Sequence, residues 1–212
     1  MLDFISDKKQ ILIAINAEKI INRNPKLETI INNNIGYADG IGAVKALKKK
    51  GARNAIKIPG CEVWLDIIKK FENEKTFYFL GSSNEVIENT IEKLKIEFPN
   101  INILNFRNGF LKEGEKEILI KDLKETQPDI VFVAQGTPRQ EYLMEELLKE
   151  HPALYMGLGG SFDVYTGNVK RAPKVFIKFG LEWLYRLLLQ PTRIKRQIVL
   201  IKFFFKLHFG KL

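Results

Sequence analysis

Short apolar runs alternate with longer stretches of helical spacing along most of this chain. Residues 11–15 read Ile-Leu-Ile-Ala-Ile and stop at Asn16, the length of a strand. Further strands are expected at 35–38, at the aromatic run 76–80, and at 101–106, 130–134 and 153–158, with a brief one at 54–58 before the Pro59-Gly60 turn. Between them lie helical patterns. Residues 25–33 carry Pro in the first turn, and residues 61–73 place apolar side chains at 61, 63, 64, 67, 68 and 71. Helices are also expected at 42–50, from the Gly81-Ser82-Ser83-Asn84 turn to 97, and at 115–126 and 139–150. Each strand hands over to a helix through small or polar residues. That order predicts an α/β fold, a Rossmann-like and largely parallel sheet flanked by helices.

The pattern changes after Gly167. Residues 173–190 and 192–209 read as two helices broken at Pro191. They are apolar and basic at once: Trp183, Leu184, Leu187 and Leu188, then Ile198, Leu200, Ile201 and Phe203 to Phe205, interrupted by Lys178, Glu182, Arg186, Arg193 and Lys202. The interruptions leave no uncharged run near the roughly 18 residues that a membrane span needs. The domain reading is an α/β catalytic domain at 1–168 and a basic amphipathic appendage at 169–212.

Charge sharpens that division. The chain of 212 residues carries a net +9, whereas 169–212 alone holds eleven Lys/Arg against the single acid Glu182, a net +10. The remainder is close to neutral, so the explanation of the basic character belongs to the tail. Three explanations suit it: an amphipathic segment on an anionic membrane surface, a packed helix with a solvated basic face, or nucleic-acid contact. Its apolar residues equally suit a neighbouring subunit, which leaves a homo-oligomer open. One cysteine, Cys61, excludes an internal disulfide and a zinc site built of Cys pairs. Met1-Leu2-Asp3-Phe4 has no basic region followed by an apolar run, so no signal peptide is expected.

Candidate chemistry sits where strands end. Asp39 follows the strand 35–38 inside Gly36-Tyr37-Ala38-Asp39-Gly40-Ile41-Gly42, at the strand edge where open α/β sheets bind ligands. Glycines there let a sugar ring or backbone approach; an Asp-Gly pair also suits a plain turn or a helix N-cap. Asn16, the Gly81-Ser82 turn, the run Gly136-Thr137-Pro138-Arg139-Gln140-Glu141 and Gly159-Gly160 are the other strand-end stretches. Glycine-rich strand-to-helix turns suit phosphates. Neither a Walker A sequence nor Gly-x-Gly-x-x-Gly occurs, which argues against a P-loop NTPase or a standard dinucleotide domain. No two Asp stand two apart, and the two His, His151 and His208, lie far from other ligand-type residues. No catalytic metal and no cofactor are therefore expected. Something else must neutralise a leaving diphosphate, and Arg186, Arg193 and Arg196 are the candidates, since guanidinium forks hold phosphate oxygens and stay charged.

In this order the pieces resemble the WecG/TagA/CpsF family of bacterial glycosyltransferases. The resemblance is carried by Asn16, Ala38-Asp39-Gly40-Ile41-Gly42, Gly136 to Glu141, Gly159-Gly160-Ser161-Phe162-Asp163 with Gly167-x-x-x-Arg171-Ala172-Pro173, and Glu182-Trp183-Leu184-Tyr185-Arg186 followed by Pro191-x-Arg193-x-x-Arg196. It implies an inverting, metal-independent enzyme that moves N-acetylmannosamine or a related sugar from UDP to a polyprenyl-diphosphate-linked acceptor. The work would serve cell-wall or surface polysaccharide synthesis at the cytoplasmic face of the membrane, with no role for nucleic acid. By the same resemblance Asp39 is the general base and the C-terminal arginines close over the donor diphosphate. Gln140 and Glu141 would bond the nucleoside, and Asn16 would orient the base or a sugar hydroxyl. Two positions depart from the family pattern. Ala14-Ile15-Asn16 stands where Thr-Pro-Asn is usual, and Lys57 stands where an Arg is frequent, so the anion contact there lacks a fork.

Overall fold

The computed structural model describes residues 2–5, 7–22, 24–173, 175–176, 182–189 and 194–209, and for 4, 183, 186 and 194–198 the backbone alone. Six strands form one sheet: β1 (Ile11–Ile15), β2 (Ile35–Ala38), β3 (Thr76–Gly81), β4 (Asn102–Arg107), β5 (Ile130–Ala134) and β6 (Leu154–Gly157), in the order β2-β1-β6-β5-β3-β4. The pairings of β1 with β6, β6 with β5, β5 with β3 and β3 with β4 are all parallel. The expected α/β, Rossmann-like sheet is therefore the observed one. Helices follow the strands: α1 (Leu2–Ile5), α2 (Ala17–Ile21), α3 (Pro25–Asn32), α4 (Ile41–Lys49), α5 (Gly60–Phe71), α6 (Asn84–Glu97), α7 (Glu115–Thr126), α8 (Arg139–Glu150), α9 (Ser161–Tyr165), α10 (Glu182–Leu189) and α11 (Ile194–His208). None of the described helices is long and apolar enough to cross a membrane.

The chain divides into two compact units that interleave in sequence. The first joins Met1–Ile13, Lys26–Ile35 and Gly60–Val169; the second joins Ala14–Pro25, Gly36–Pro59 and Lys170–Leu212.

The first unit is built on a buried aromatic layer. Phe77 to Leu80 of β3 and Val131 to Val133 of β5 are fully buried, as a parallel sheet covered on both faces requires. Alternate side chains serve alternate faces. Phe79 and Phe132 meet at 5.4 Å between ring centroids, and Trp64 of α5 packs edge-on against Phe132, Phe162 and Tyr165. On the other face Tyr78 donates to Asp122 Oδ2 of α7 at 2.6 Å. Burial and that carboxylate both push the Tyr78 hydroxyl up from its ordinary value, so it serves as a neutral donor.

The second unit is smaller and centres on Phe203 of α11, which is buried among Ala17, Ala46, Ile20 and Leu207. Lys49 at the end of α4 donates to the carbonyls of Leu207 and His208, supplying a cation where a helix leaves its last carbonyls unpaired.

The expected strand at 54–58 does not form. Ile58 N–H donates to Ala38 O at 2.9 Å, but that single bond replaces a ladder. Ile56 is left exposed, so no apolar gain favours a strand there. Three short helices, α1, α2 and α9, fall in stretches where no helix was expected. In the tail, the helices described are α10 and α11; the proposed break at Pro191 lies outside the described residues.

Candidate functional site

The candidate residues fall in both units, and each unit is taken by itself. In the first, β3 ends on Gly81, whose φ is +143°. A Cβ there would sit 2.4 Å from the carbonyl oxygen of Ala134, so only glycine fits against β5. Ser82 follows with its N–H on Ala134 O at 3.0 Å and its hydroxyl on Asp163 Oδ2 at 3.1 Å. This turn is fastened to the protein on both its backbone and its side chain.

The run after β5 is organised by two buried side chains. Gln140 Oε1 accepts from Gly136 N–H at 3.1 Å and from Gly159 N–H at 2.9 Å. Its Nε2 donates to Glu141 Oε1 at 3.1 Å, and Thr137 Oγ1 donates to the same oxygen at 3.0 Å. Gln140 and Glu141 thus bridge two strand-end turns from inside, with Glu141 only 1% exposed. A Cβ at Gly157 would lie 2.4 Å from Gln140 Nε2, so that glycine makes room for the bridge. The Thr137–Pro138 peptide is cis. Thr137 and Arg139 are exposed, Gly136 and Pro138 partly so. Gly136, Gly159 and Gly160 would each carry a Cβ into open space, so their backbone is accessible. Gln135 Nε2 donates to Gly109 O at 2.7 Å and braces the same turn.

In the second unit, Asn16 caps α2: its Oδ1 accepts from Lys19 N–H at 3.0 Å. Lys19 is buried, with its ammonium on Ala14 O at 2.8 Å, so the stretch 14–19 closes on itself. Asp39 follows β2 directly, half-buried, with its N–H on Ile15 O at 2.8 Å. The N-cap position of α4 falls on Gly40, which has no side chain to cap with, so Asp39 is not the cap of that helix. Gly40 has φ +91° and open space where a Cβ would be. Gly42 is different: a Cβ there would meet Ala17 Cβ and Phe203 Cε1, each at 3.1 Å, so it serves helix packing. Of the glycines around Asp39, Gly40 is thus one that leaves an approach open.

Lys57 is held by Glu182 of α10, Nζ to Oε1 2.5 Å, with both side chains partly buried. The partnership was not legible in sequence; that Glu182 is the single acid of the basic tail was a usable signal. Arg186 lies on α10 and Arg196 on α11, but their side chains are outside the described residues, as is Arg193 altogether.

A parallel α/β sheet with polar and glycine-rich turns at its strand ends defines a Rossmann-like protein, a class of fold that binds its ligands at such turns. A family model described as "Glycosyl transferase WecG/TagA/CpsF family" matches residues 1–212, and the chain belongs to that family. It is a glycosyltransferase, with a sugar donor and an acceptor as substrates and polysaccharide biosynthesis as its setting.

Proposed function

We propose that the protein is an inverting, metal-independent transferase that moves N-acetylmannosamine or a related hexose from a UDP-sugar to a polyprenyl-diphosphate-linked acceptor. The observation that carries the reading is Asp39, a carboxylate immediately after a strand whose backbone is pinned to Ile15 O and followed by the open Gly40. In this mechanism an acceptor hydroxyl attacks the anomeric carbon. Asp39 takes the hydroxyl proton as the new C–O bond forms. The bond to the β-phosphate oxygen breaks with its electron pair, and UDP leaves. Arg186, Arg193 and Arg196 counter the charge that develops on it. The absence of any Asp-x-Asp pair in the sequence fits a leaving group neutralised by arginine.

Gly136, Thr137, Pro138, Arg139, Gly159 and Gly160, with Gly81 and Ser82, would bind the donor. Gln140 and Glu141 would do so through the turns that they hold, and Asn16 and Lys57 would complete the substrate contacts. Residues 1–168 would be the catalytic domain, and 169–212 an appendage that closes over the donor and rests on the cytoplasmic face of an anionic membrane.

Purified protein given a panel of UDP-sugars, a soluble polyprenyl-diphosphate analogue and EDTA should release UDP and form one glycosylated product. Asp39→Asn should lower kcat by about 100-fold or more, the scale of losing a general base. Undiminished transfer by that variant refutes the base assignment. Loss of all transfer in EDTA, restored by a divalent cation, refutes metal independence.

A further inference from the structure

The second unit contains a cavity of about 580 Å³ that none of the proposed chemistry uses. That size lies within the range of small-molecule sites. Its walls are mostly apolar, with Ile15, Ile20, Ile21, Ala38, Ala43 and Leu207 among them. Leu47, on α4, stands at the exposed side, 42% accessible. The charged groups of the lining are Lys49, Lys50 and Lys206, and no carboxylate accompanies them. Lys49 is committed to the carbonyls that end α11, whereas Lys50 and Lys206 are exposed.

This chemistry selects its ligand. A nucleotide or free sugar would leave its polar groups against apolar walls, at a cost for each unpaired group. A neutral hydrocarbon would gain nothing from the ammonium groups. An anionic amphiphile uses both: its chain is removed from water, and its head pairs with the lysines.

We infer that this cavity takes the head-proximal isoprenoid units of a lipid phosphate, with Lys50 and Lys206 holding the phosphate. The inference rests on the lipid-linked acceptor of the proposed function for the identity of the chain.

The test is binding of farnesyl phosphate to the full chain by calorimetry, without donor. Farnesol should bind at least about tenfold more weakly, because the lysines then have no anion. The K50E/K206E pair and Leu47→Glu should each weaken farnesyl phosphate about tenfold; all three positions are exposed, so the fold should persist, as circular dichroism would verify. No binding, or binding unchanged in both variants, overturns the inference. Phosphatidylglycerol vesicles that displace farnesyl phosphate at equal lipid concentration also overturn it, because the cavity would then belong to bilayer lipid. The two readings separate cleanly. Farnesyl phosphate binding with no sugar transfer to any acceptor upholds the cavity and removes the transferase mechanism. Transfer that proceeds while the cavity variants bind normally does the reverse.

Discussion

The two units of this chain obey different rules. Counted over their sequences, the second carries a net +16, which leaves −7 for the first. Of the thirteen large hydrophobic side chains exposed among the described residues, nine belong to the second unit, among them Ile41, Leu47, Leu188, Ile201 and Phe205. The first unit spends its apolar side chains on a continuous aromatic layer and keeps its surface acidic. The second buries few and exposes many, beside lysines. Exposed apolar groups gathered beside basic ones are the composition of an interaction surface. On the proposed reading that partner is amphiphilic and anionic, which both kinds of group would meet. The comparison teaches that stability and recognition are distributed unevenly here.

The sharpest way to test that division is to remove one anchor from each unit. Trp64 is fully buried and touches three aromatic neighbours. Trp64→Ala should cost about 4 kcal/mol, near the middle of the range for aromatic truncation in a core. Phe203 is equally buried, but its neighbours Ala17 and Ala46 are small. Phe203→Ala should cost about 3 kcal/mol, and the loss should appear first in hydrogen exchange of α2, α4 and α11. Denaturant unfolding followed by exchange mass spectrometry reads both. Uniform loss of protection throughout the chain in the Phe203 variant would show that the units do not unfold separately.

Legibility in the sequence follows the same division. In the first unit the bounds expected for α7, β5 and α8 coincide with those observed, because long periodic runs there agree with burial. The same reading failed at 54–58, where β-prone Ile56 and Ile58 have no strand to pair with along their length. Nor is α2 legible, because an Asn at a strand end suits a ligand contact as well as the helix cap that Asn16 forms. At the candidate site, the place of Asp39 directly after a strand is legible from the apolar run between glycines that precedes it. The inward direction of Gln140 is not, since a polar pair at a helix start gives no sign that it will be buried. Nor could sequence tell Gly40 from Gly42: one leaves space open and the other fills a helix contact, a distinction that exists only once Phe203 is in place.

Glycine replacement sharpens the contrast further. Gly81→Ala must displace the Ala134 carbonyl and hold a positive φ, so it should cost about 2–3 kcal/mol. Gly40→Ala has only the backbone term to meet, about 1 kcal/mol. Thermal unfolding reads both costs. On the proposed reading Gly40→Ala should still reduce transfer about tenfold or more, since it narrows the approach to Asp39. A variant that loses stability but keeps full transfer would show that nothing approaches through that opening.

The smallest expected effect bears most directly on Lys57. Its bond to Glu182 ties the loop before α5 to α10, both within the second unit. A partly buried pair of this kind should contribute no more than about 1 kcal/mol, and a double-mutant cycle on Lys57 and Glu182 measures it. The functional consequence runs in the other direction. Glu182 neutralises the lysine that the proposed mechanism assigns to the donor. Glu182→Gln should therefore lower stability slightly while lowering the donor KM about two- to fivefold, because the ammonium no longer has a carboxylate to leave. Lys57→Ala should raise the same KM. If Glu182→Gln destabilises without moving KM, the lysine belongs to the architecture of the tail and has no part in binding the diphosphate.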